Sequence, residues 1–243
     1  MTTLHTQATV GELVKARPSR SRVFEQLNID YCCGGKFPLA DACAKRGADV
    51  QQVLRLLQEA DAQADQRDGE LVDADAMGLA ELADHIERTH HAYLRKELPR
   101  LDQMTDKVNQ VHGDADPRLA DVRRAFQALQ EELASHMMKE ERILFPMIQM
   151  LESAADLPAF HCGSIANPIR QMEAEHDSAG HALKIMHNAT DEYQPPDWAC
   201  NTYRAMLDGL AHLERDLHQH IHKENNVLFP KAVDLEKQRL GDA

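Results

Sequence analysis

Two segments of the sequence repeat one pattern of metal-binding and apolar side chains. Both read His-x-x-Lys-Glu-x-x-x-Leu-Phe-Pro; one begins at His136 and the other at His220. The glutamate of each copy, Glu140 or Glu224, is four residues after its histidine, so on a helix the two side chains lie one turn apart on the same face. A structural repeat has reason to keep Leu, Phe and Pro, but little reason to keep His and Glu. The pattern therefore predicts a metal site.

Two further histidines complete the predicted ligand set. The copies of the pattern are 84 residues apart, and His176 lies in a helical segment between them. The same shift applied to His176 points to position 91 or 92, which favours His91 over its neighbour His90. His90 stays open as an alternative ligand or as a residue behind the ligands. The six predicted ligands are His91, His136, Glu140, His176, His220 and Glu224.

The number and type of these ligands indicate which metal they suit. Six protein ligands exceed what one four-coordinate zinc ion uses. They suit two metal ions bridged by two carboxylates, with positions left for solvent or a diatomic ligand. Imidazole and carboxylate without thiolate favour iron or manganese.

The ligands must be positioned by helices, and the second part of the chain supplies four. Apolar residues recur at helical spacing in each of four long segments, and in the second they include Phe126, Leu133 and Ile143. Short connections between such segments predict an all-α, antiparallel four-helix bundle. The segments are 77–105, 117–152, 168–190 and 197–238.

The first part of the chain predicts a small domain of short helices. Thr9 to Glu12 form a capping-box pattern, and Pro38 and Gly47 are placed to begin and end a later helix. So small a piece buries little apolar surface by itself, and we expect it to dock on another element. The segment after it is rich in Asp, Gln and Ala and reads as a linker. The predicted divisions are 1–60, 61–76 and 77–240.

Charge and composition exclude several classes of partner. The chain has 40 acidic and 27 basic residues, a formal net charge of −13, which argues against nucleic acid or an anionic membrane. No apolar run approaches the roughly 18 residues of a spanning helix, and no signal peptide is visible. Five cysteines, two of them adjacent, do not suggest a disulfide framework. We therefore expect a reducing, cytoplasmic location.

Two segments of the sequence, the repeated His/Glu pattern and a cysteine-containing segment in the first part of the chain, resemble a known family. The segment Asp30–Lys36 reads Asp-Tyr-Cys-Cys-Gly-Gly-Lys; it resembles the domain that precedes a hemerythrin-like bundle in the RIC, or repair of iron centres, family. The resemblance covers residues 8–60 and 79–235, and the two signatures in this order are highly specific. It implies two non-haem iron ions with oxo and carboxylate bridges. The resemblance implies that the iron ligands of the RIC family correspond to the six predicted residues, with Glu140 and Glu224 as the bridging carboxylates.

The resemblance also implies a function, with alternatives. The family acts in the response to nitric oxide and oxidative damage, so NO or another diatomic and client iron–sulfur proteins become the expected partners. Repair by iron donation or NO removal is the leading hypothesis, and enzymatic reduction of NO to N₂O is an alternative, so enzyme status stays open. A hemerythrin-like O₂ or redox sensor ranks lower, since no signalling domain is attached. An oxygen carrier would have a histidine where Gly180 stands. The sequence does not indicate an oligomeric state.

Cys32 and Cys33 form the second constellation with possible chemistry. Adjacent cysteines rarely bond to each other, because the ring they would close is strained. They suit a thiol pair that reduces a substrate, takes up NO, or contacts a metal or cluster. Gly34 and Gly35 permit a close backbone approach there. The alternative is a loop with two small buried side chains.

Overall fold

A computed structural model describes residues 4–64, 72–154, 158 and 160–241. The regular structure of these residues is helical, apart from an isolated β-bridge between Thr9 and Pro38. The prediction of an all-α fold is therefore confirmed. The first elements are α1 (Val10–Ala16), a 3₁₀ turn (Pro18–Arg20), α2 (Ser21–Gln26), α3 (Leu39–Arg46), α4 (Val50–Ala64) and a second 3₁₀ turn (Ala74–Ala76).

The four predicted long segments are all helical, and a five-residue π-helical turn interrupts three of them. The first consists of α5 (Leu79–Ile86), a π turn (Glu87–His91) and α6 (Ala92–His112). The second consists of α7 (Leu119–Lys139), a π turn (Glu140–Leu144) and α8 (Phe145–Ser153). The third is α9 (Ala166–Ala189). The fourth consists of α10 (Asn201–Lys223), a π turn (Glu224–Leu228) and α11 (Phe229–Gly241).

Contacts divide the described residues into two compact units. Unit 1 comprises the described residues within Met1–Ala83, Leu151–Leu157 and His218–Ala243, and unit 2 those within Asp84–Met150 and Pro158–Leu217. Both units therefore contain segments that are distant in the sequence. The predicted domain boundaries at residues 60 and 76 were inferred from the sequence and stay predictions. Residues 61–64 of the expected linker belong to α4. Residues 65–71 lie outside the described residues.

The capping box and the helix-ending residues that the sequence predicted are present in unit 1. The Thr9 hydroxyl accepts from the backbone N–H of Glu12, and the Glu12 carboxylate accepts from the backbone N–H of Thr9 at 3.0 Å. Pro38 is the N-cap of α3, and Gly47 ends this helix at a φ of +69°, a conformation that favours glycine. The first four helices share a core of mostly apolar side chains, which includes Val10, Leu13, Phe24, Tyr31, Leu39 and Leu57.

Unit 2 contains the bundle that carries most of the predicted ligands. Its core joins α6, α7, α9 and the part of α10 that ends at Leu217. The predicted end of the first segment at residue 105 is too early, because Val108 continues the apolar face of α6. The core residues include Leu94, Leu101, Phe126, Leu129, Leu183 and Leu210.

The π turn between α7 and α8 corrects one predicted core position. Ile143 is 55% exposed, although a regular helix would have placed it on the apolar stripe. The turn accommodates one residue more than an α-helical turn, so it rotates the residues that follow. Leu144, Phe145 and Ile148 are buried instead.

Candidate metal centre

Four of the six predicted ligands lie in unit 2, and their ligand atoms converge. Oε2 of Glu140 lies 3.3 Å from Nε2 of His91 and 3.2 Å from Nε2 of His136. Nε2 of His176 lies 3.1 Å from Nε2 of His136. Each of the four residues is at most 2% exposed. A single carboxylate oxygen thus faces two imidazole nitrogens, and a third imidazole lies beside them.

The other two predicted ligands form a pair in unit 1. Nε2 of His220 lies 3.0 Å from Oε1 of Glu224, and both side chains are buried. This pair repeats the contact between His136 and Glu140 at the same four-residue spacing. The repeated sequence pattern therefore has the same local geometry in both copies.

The π turns carry predicted ligands wherever they occur in the described residues. His91 is the last residue of the first turn, and Glu140 and Glu224 begin the other two. Turns of this type are rare in proteins overall, and those that occur are often found at functional sites. Pro146 and Pro230 each follow a turn by two residues, and proline lacks the N–H that a regular helix needs. A Leu-Phe-Pro triplet inside an amphipathic helix was therefore the available sequence signal for the turns that begin at Glu140 and Glu224.

Two glutamates that were not among the predicted ligands contact the Nδ1 atoms of His91 and His136, whose Nε2 atoms face Glu140. Nδ1 of His136 lies 2.9 Å from Oε2 of Glu175, and Nδ1 of His91 lies 2.7 Å from Oε1 of Glu141. Each glutamate also contacts a cation, Lys139 for Glu175 and Arg95 for Glu141. Carboxylates in this position orient metal-bound histidines and increase their basicity. They adjoin predicted ligands in the sequence, since Glu175 precedes His176 and Glu141 follows Glu140.

The charge of Glu175 determines which nitrogen of His136 is available. Burial opposes ionisation, but hydrogen bonds from Lys139, Gln171 and His136 outweigh it and lower the pKa of Glu175 to about 2. The ionised carboxylate only accepts hydrogen bonds, so Nδ1 of His136 donates to it. In the neutral imidazole this leaves the lone pair on Nε2, which points at Glu140 and His176.

The donor set fits a metal ion. One ligand atom each from His136, Glu140 and His176 lies within 4.8 Å of the others. A buried carboxylate is costly unless a cation compensates it, and Glu140 is fully buried. Nitrogen lone pairs and a carboxylate that face one another in a dry interior are the ligands that a divalent first-row metal prefers.

The Leu and Phe side chains of the repeated pattern are buried, and one of them contacts a predicted ligand. The ring of Phe145 stacks on the imidazole of His91, with centroids 5.7 Å apart and planes 12° apart. Leu144 and Phe145 are buried in one copy of the motif, and Leu228 and Phe229 in the other. These four residues are therefore packing residues.

Other histidines have different environments. Nδ1 of His90 lies 2.9 Å from Oδ1 of Asp216, whereas its neighbour His91 contacts Glu140. His181 is exposed on α9. These contacts favour His91 over His90 as the residue that faces the cluster.

Comparison with known proteins agrees with both sequence signatures. Residues 82–232 match the hemerythrin HHE cation binding domain, and residues 6–61 match a domain of unknown function, DUF542, called ScdA_N. The iron-sulfur cluster repair proteins YtfE of Shigella boydii serotype 4 (strain Sb227) and of Escherichia coli O157:H7 are each 40% identical to the chain over 225 residues. These alignments cover 92% of this chain and 96% of each relative.

The chain belongs to the hemerythrin HHE family. The YtfE protein of Salmonella paratyphi B (strain ATCC BAA-1250 / SPB7) is 38% identical over 224 residues, again 92% of this chain. Together these similarities confirm the predicted membership of the RIC family. A hemerythrin-like domain implies iron binding, and the buried His and Glu residues form groups able to hold a metal ion.

The two adjacent cysteines lie in unit 1, within the region that matches ScdA_N. Cys32 is 4% exposed, and its Sγ donates to Oδ1 of Asp30 at 3.2 Å. A hydrogen bond with Cys33, together with burial, raises the pKa of the Cys32 thiol well above its usual value. Cys33 is more accessible, and neither residue forms a disulfide. Cys43 is buried on α3.

None of the helices in the described residues is both long enough and apolar enough to cross a membrane.

Proposed function

We propose that the chain holds two iron ions and repairs iron–sulfur clusters damaged by nitric oxide or oxidative stress. The observation that carries the proposal is the buried Oε2 of Glu140, which lies 3.3 Å from Nε2 of His91 and 3.2 Å from Nε2 of His136. The names of the YtfE relatives, which describe iron-sulfur cluster repair, support the function. The proposed iron ligands are His91, His136, Glu140, His176, His220 and Glu224.

Each part of the proposed centre has a task that its surroundings support. Glu140 and Glu224 are the proposed bridging carboxylates. Glu175 and Glu141 hold the imidazoles of His136 and His91 in one orientation. The ring of Phe145 shields one face of His91 from water. Iron bound there would supply coordination positions for a diatomic such as NO and the capacity to exchange electrons.

Further parts of the proposal follow from the remaining predictions. Cys32 and Cys33 are the proposed reactive thiols for exchange with damaged client iron–sulfur proteins. Their thiol state is consistent with a cytoplasmic location, which we propose for the protein. We also propose that residues 1–60 form a thiol-bearing domain, joined by residues 61–76 to the iron-binding residues 77–240.

Anaerobic addition of NO to the reduced, iron-loaded protein separates the competing activities. N₂O and released iron are measured in the same sample, and the protein is then incubated with a purified iron–sulfur enzyme inactivated by NO. Recovery of that enzyme with transfer of iron supports repair by donation, and recovery without iron transfer supports NO removal. Catalytic N₂O without recovery favours the reductase alternative. Binding of NO with neither result contradicts repair and favours a sensor.

Two variants make the experiment specific to the proposed centre. Glu140→Ala removes the carboxylate that faces two histidines, so every iron-dependent result should be lost. His181→Ala changes an exposed histidine of the same bundle and should behave as the unchanged protein.

A further inference from the structure

The loop with the two cysteines is attached to the turn that carries Glu224. Asn226 lies two residues after Glu224 in the same π turn, and its Nδ2 donates to the backbone carbonyl of Cys32 at 3.1 Å. The same nitrogen lies 3.5 Å from the carbonyl of Tyr31. All of these residues belong to unit 1. One amide side chain therefore links a proposed metal ligand's turn to the proposed thiol pair.

Two glycines make room for this amide. A Cβ atom on Gly11 or on Gly35 would come closer to Oδ1 of Asn226 than carbon and oxygen atoms can approach. The two glycines also contact each other, since the N–H of Gly11 donates to the carbonyl of Gly35 at 2.9 Å. Gly35 belongs to the Cys-Cys-Gly-Gly segment, so its lack of a side chain serves the contact with Asn226.

A second anchor comes from the end of α10. Nδ1 of His222 donates to the carbonyl of Tyr31 at 3.3 Å. The ring of Tyr31 meets the ring of His222 edge-on, with centroids 5.4 Å apart, and its hydroxyl donates to Oε1 of Glu25 at 2.8 Å. His222 is held by its own contacts and lies in α10, before Glu224. Asn226 follows Glu224 in the sequence, so it is the anchor that lies inside the π turn.

We propose that Asn226 is a positioning residue that links iron occupancy to the accessibility of Cys33. The inference rests on the proposed function, because it takes Glu224 as an iron ligand. Iron held by Glu224 fixes the π turn, and the fixed turn keeps Asn226 on the carbonyl of Cys32. When iron leaves, the turn loosens and the loop is released, so Cys33 becomes available to a reagent or a client. Cys33 reports this release because Cys32 is buried.

The test is the alkylation rate of Cys33 by iodoacetamide in the full-length protein. The rate is measured anaerobically, with and without Fe²⁺, by tandem mass spectrometry of the peptide that contains both cysteines. In the unchanged protein, iron should slow alkylation about fivefold, the effect expected of roughly one hydrogen bond. In Asn226→Ala the two rates should be equal and fast. Asn201→Ala, at the exposed start of α10, is the matched control and should keep the ratio.

Gly35→Ala provides an independent variant, because its new Cβ displaces Asn226 without removing the amide. It should also abolish the effect of iron, while circular dichroism shows an unchanged helix content. An iron effect that survives in Asn226→Ala, or its absence from the iron-loaded unchanged protein, would overturn the proposal. Failure of the unchanged protein to bind iron would overturn it together with the proposed function. Metal analysis of the same samples distinguishes that result from failure of the Asn226 contact alone.

Discussion

His136 and Glu175 form a hydrogen-bonded pair in which Nδ1 of the imidazole lies 2.9 Å from Oε2 of the carboxylate. His91 and Glu141 repeat the arrangement at 2.7 Å. The two imidazoles face the same oxygen of Glu140 with their Nε2 atoms. The carboxylates behind the histidines therefore set the direction from which a metal ion would be bound.

The first prediction concerns these supporting carboxylates. Glu175→Gln should lower iron affinity by about 10- to 100-fold, the usual effect of removing a partner behind a metal-bound histidine. The amide keeps the size of the side chain but loses the charge that holds Nδ1 of His136. Competition with a coloured iron chelator measures the affinity. Glu131→Gln on the exposed face of α7 is the control, and an equal loss in it would contradict the assignment.

The second prediction concerns the number of iron ions. Metal analysis of protein produced with sufficient iron should give two per chain, because the ligand pattern occurs twice. Glu140→Ala and Glu224→Ala should each lose more than one iron ion, since a bridging carboxylate holds both. His181→Ala should keep its iron. One tightly bound zinc ion in the unchanged protein would disprove the two-iron site.

The third prediction concerns the ring that covers His91. Phe145 is 2% exposed, so Phe145→Ala should destabilise the metal-free protein by about 3–5 kcal/mol, as for other buried phenylalanines. Phe37→Ala, in which the ring is 52% exposed, should change stability much less. Urea unfolding followed by circular dichroism measures both. Similar losses in the two variants would mean that Phe145 is not a packing residue of the bundle.

The fourth prediction concerns the thiol pair. The double variant Cys32→Ser/Cys33→Ser should keep its iron and its helix content, because neither residue is a proposed ligand. It should fail to restore a purified iron–sulfur enzyme damaged by NO. Cys200→Ser, which changes an exposed cysteine in unit 2, should restore it normally. Normal repair by the double variant would assign both cysteines to packing, and loss of iron would mean that the thiols reach the metal.

The sequence predicted the helices and the candidate ligands from two periodic signals. Apolar spacing located the four long segments, and the repeated four-residue spacing selected His136 with Glu140 and His220 with Glu224. Both signals are spacings within a single helix, so they can be recognised without knowing how the helices pack. A lone histidine such as His91 was selected over its neighbour His90 only because the shift between the two copies, applied to His176, gave its place.

Features that depend on contacts between elements could not be read in the same way. Glu175 is one of many acidic residues, and only the packing of α9 against α7 brings it to His136. Ile143 has the right type for the core, but the π turn rotates it into solvent. Asn226 has no periodic signal, since its partners Gly11 and Gly35 belong to a distant part of the chain.

The contact between Asn226 and Cys32 spans 194 residues of sequence. During synthesis the cysteines leave the ribosome long before the amide that will hold their loop. At about 5–20 residues per second, roughly 10–40 s pass before Asn226 is made. Throughout that interval the nascent chain carries Cys32 and Cys33 without this anchor, so protection of the thiols by Asn226 begins only after that delay.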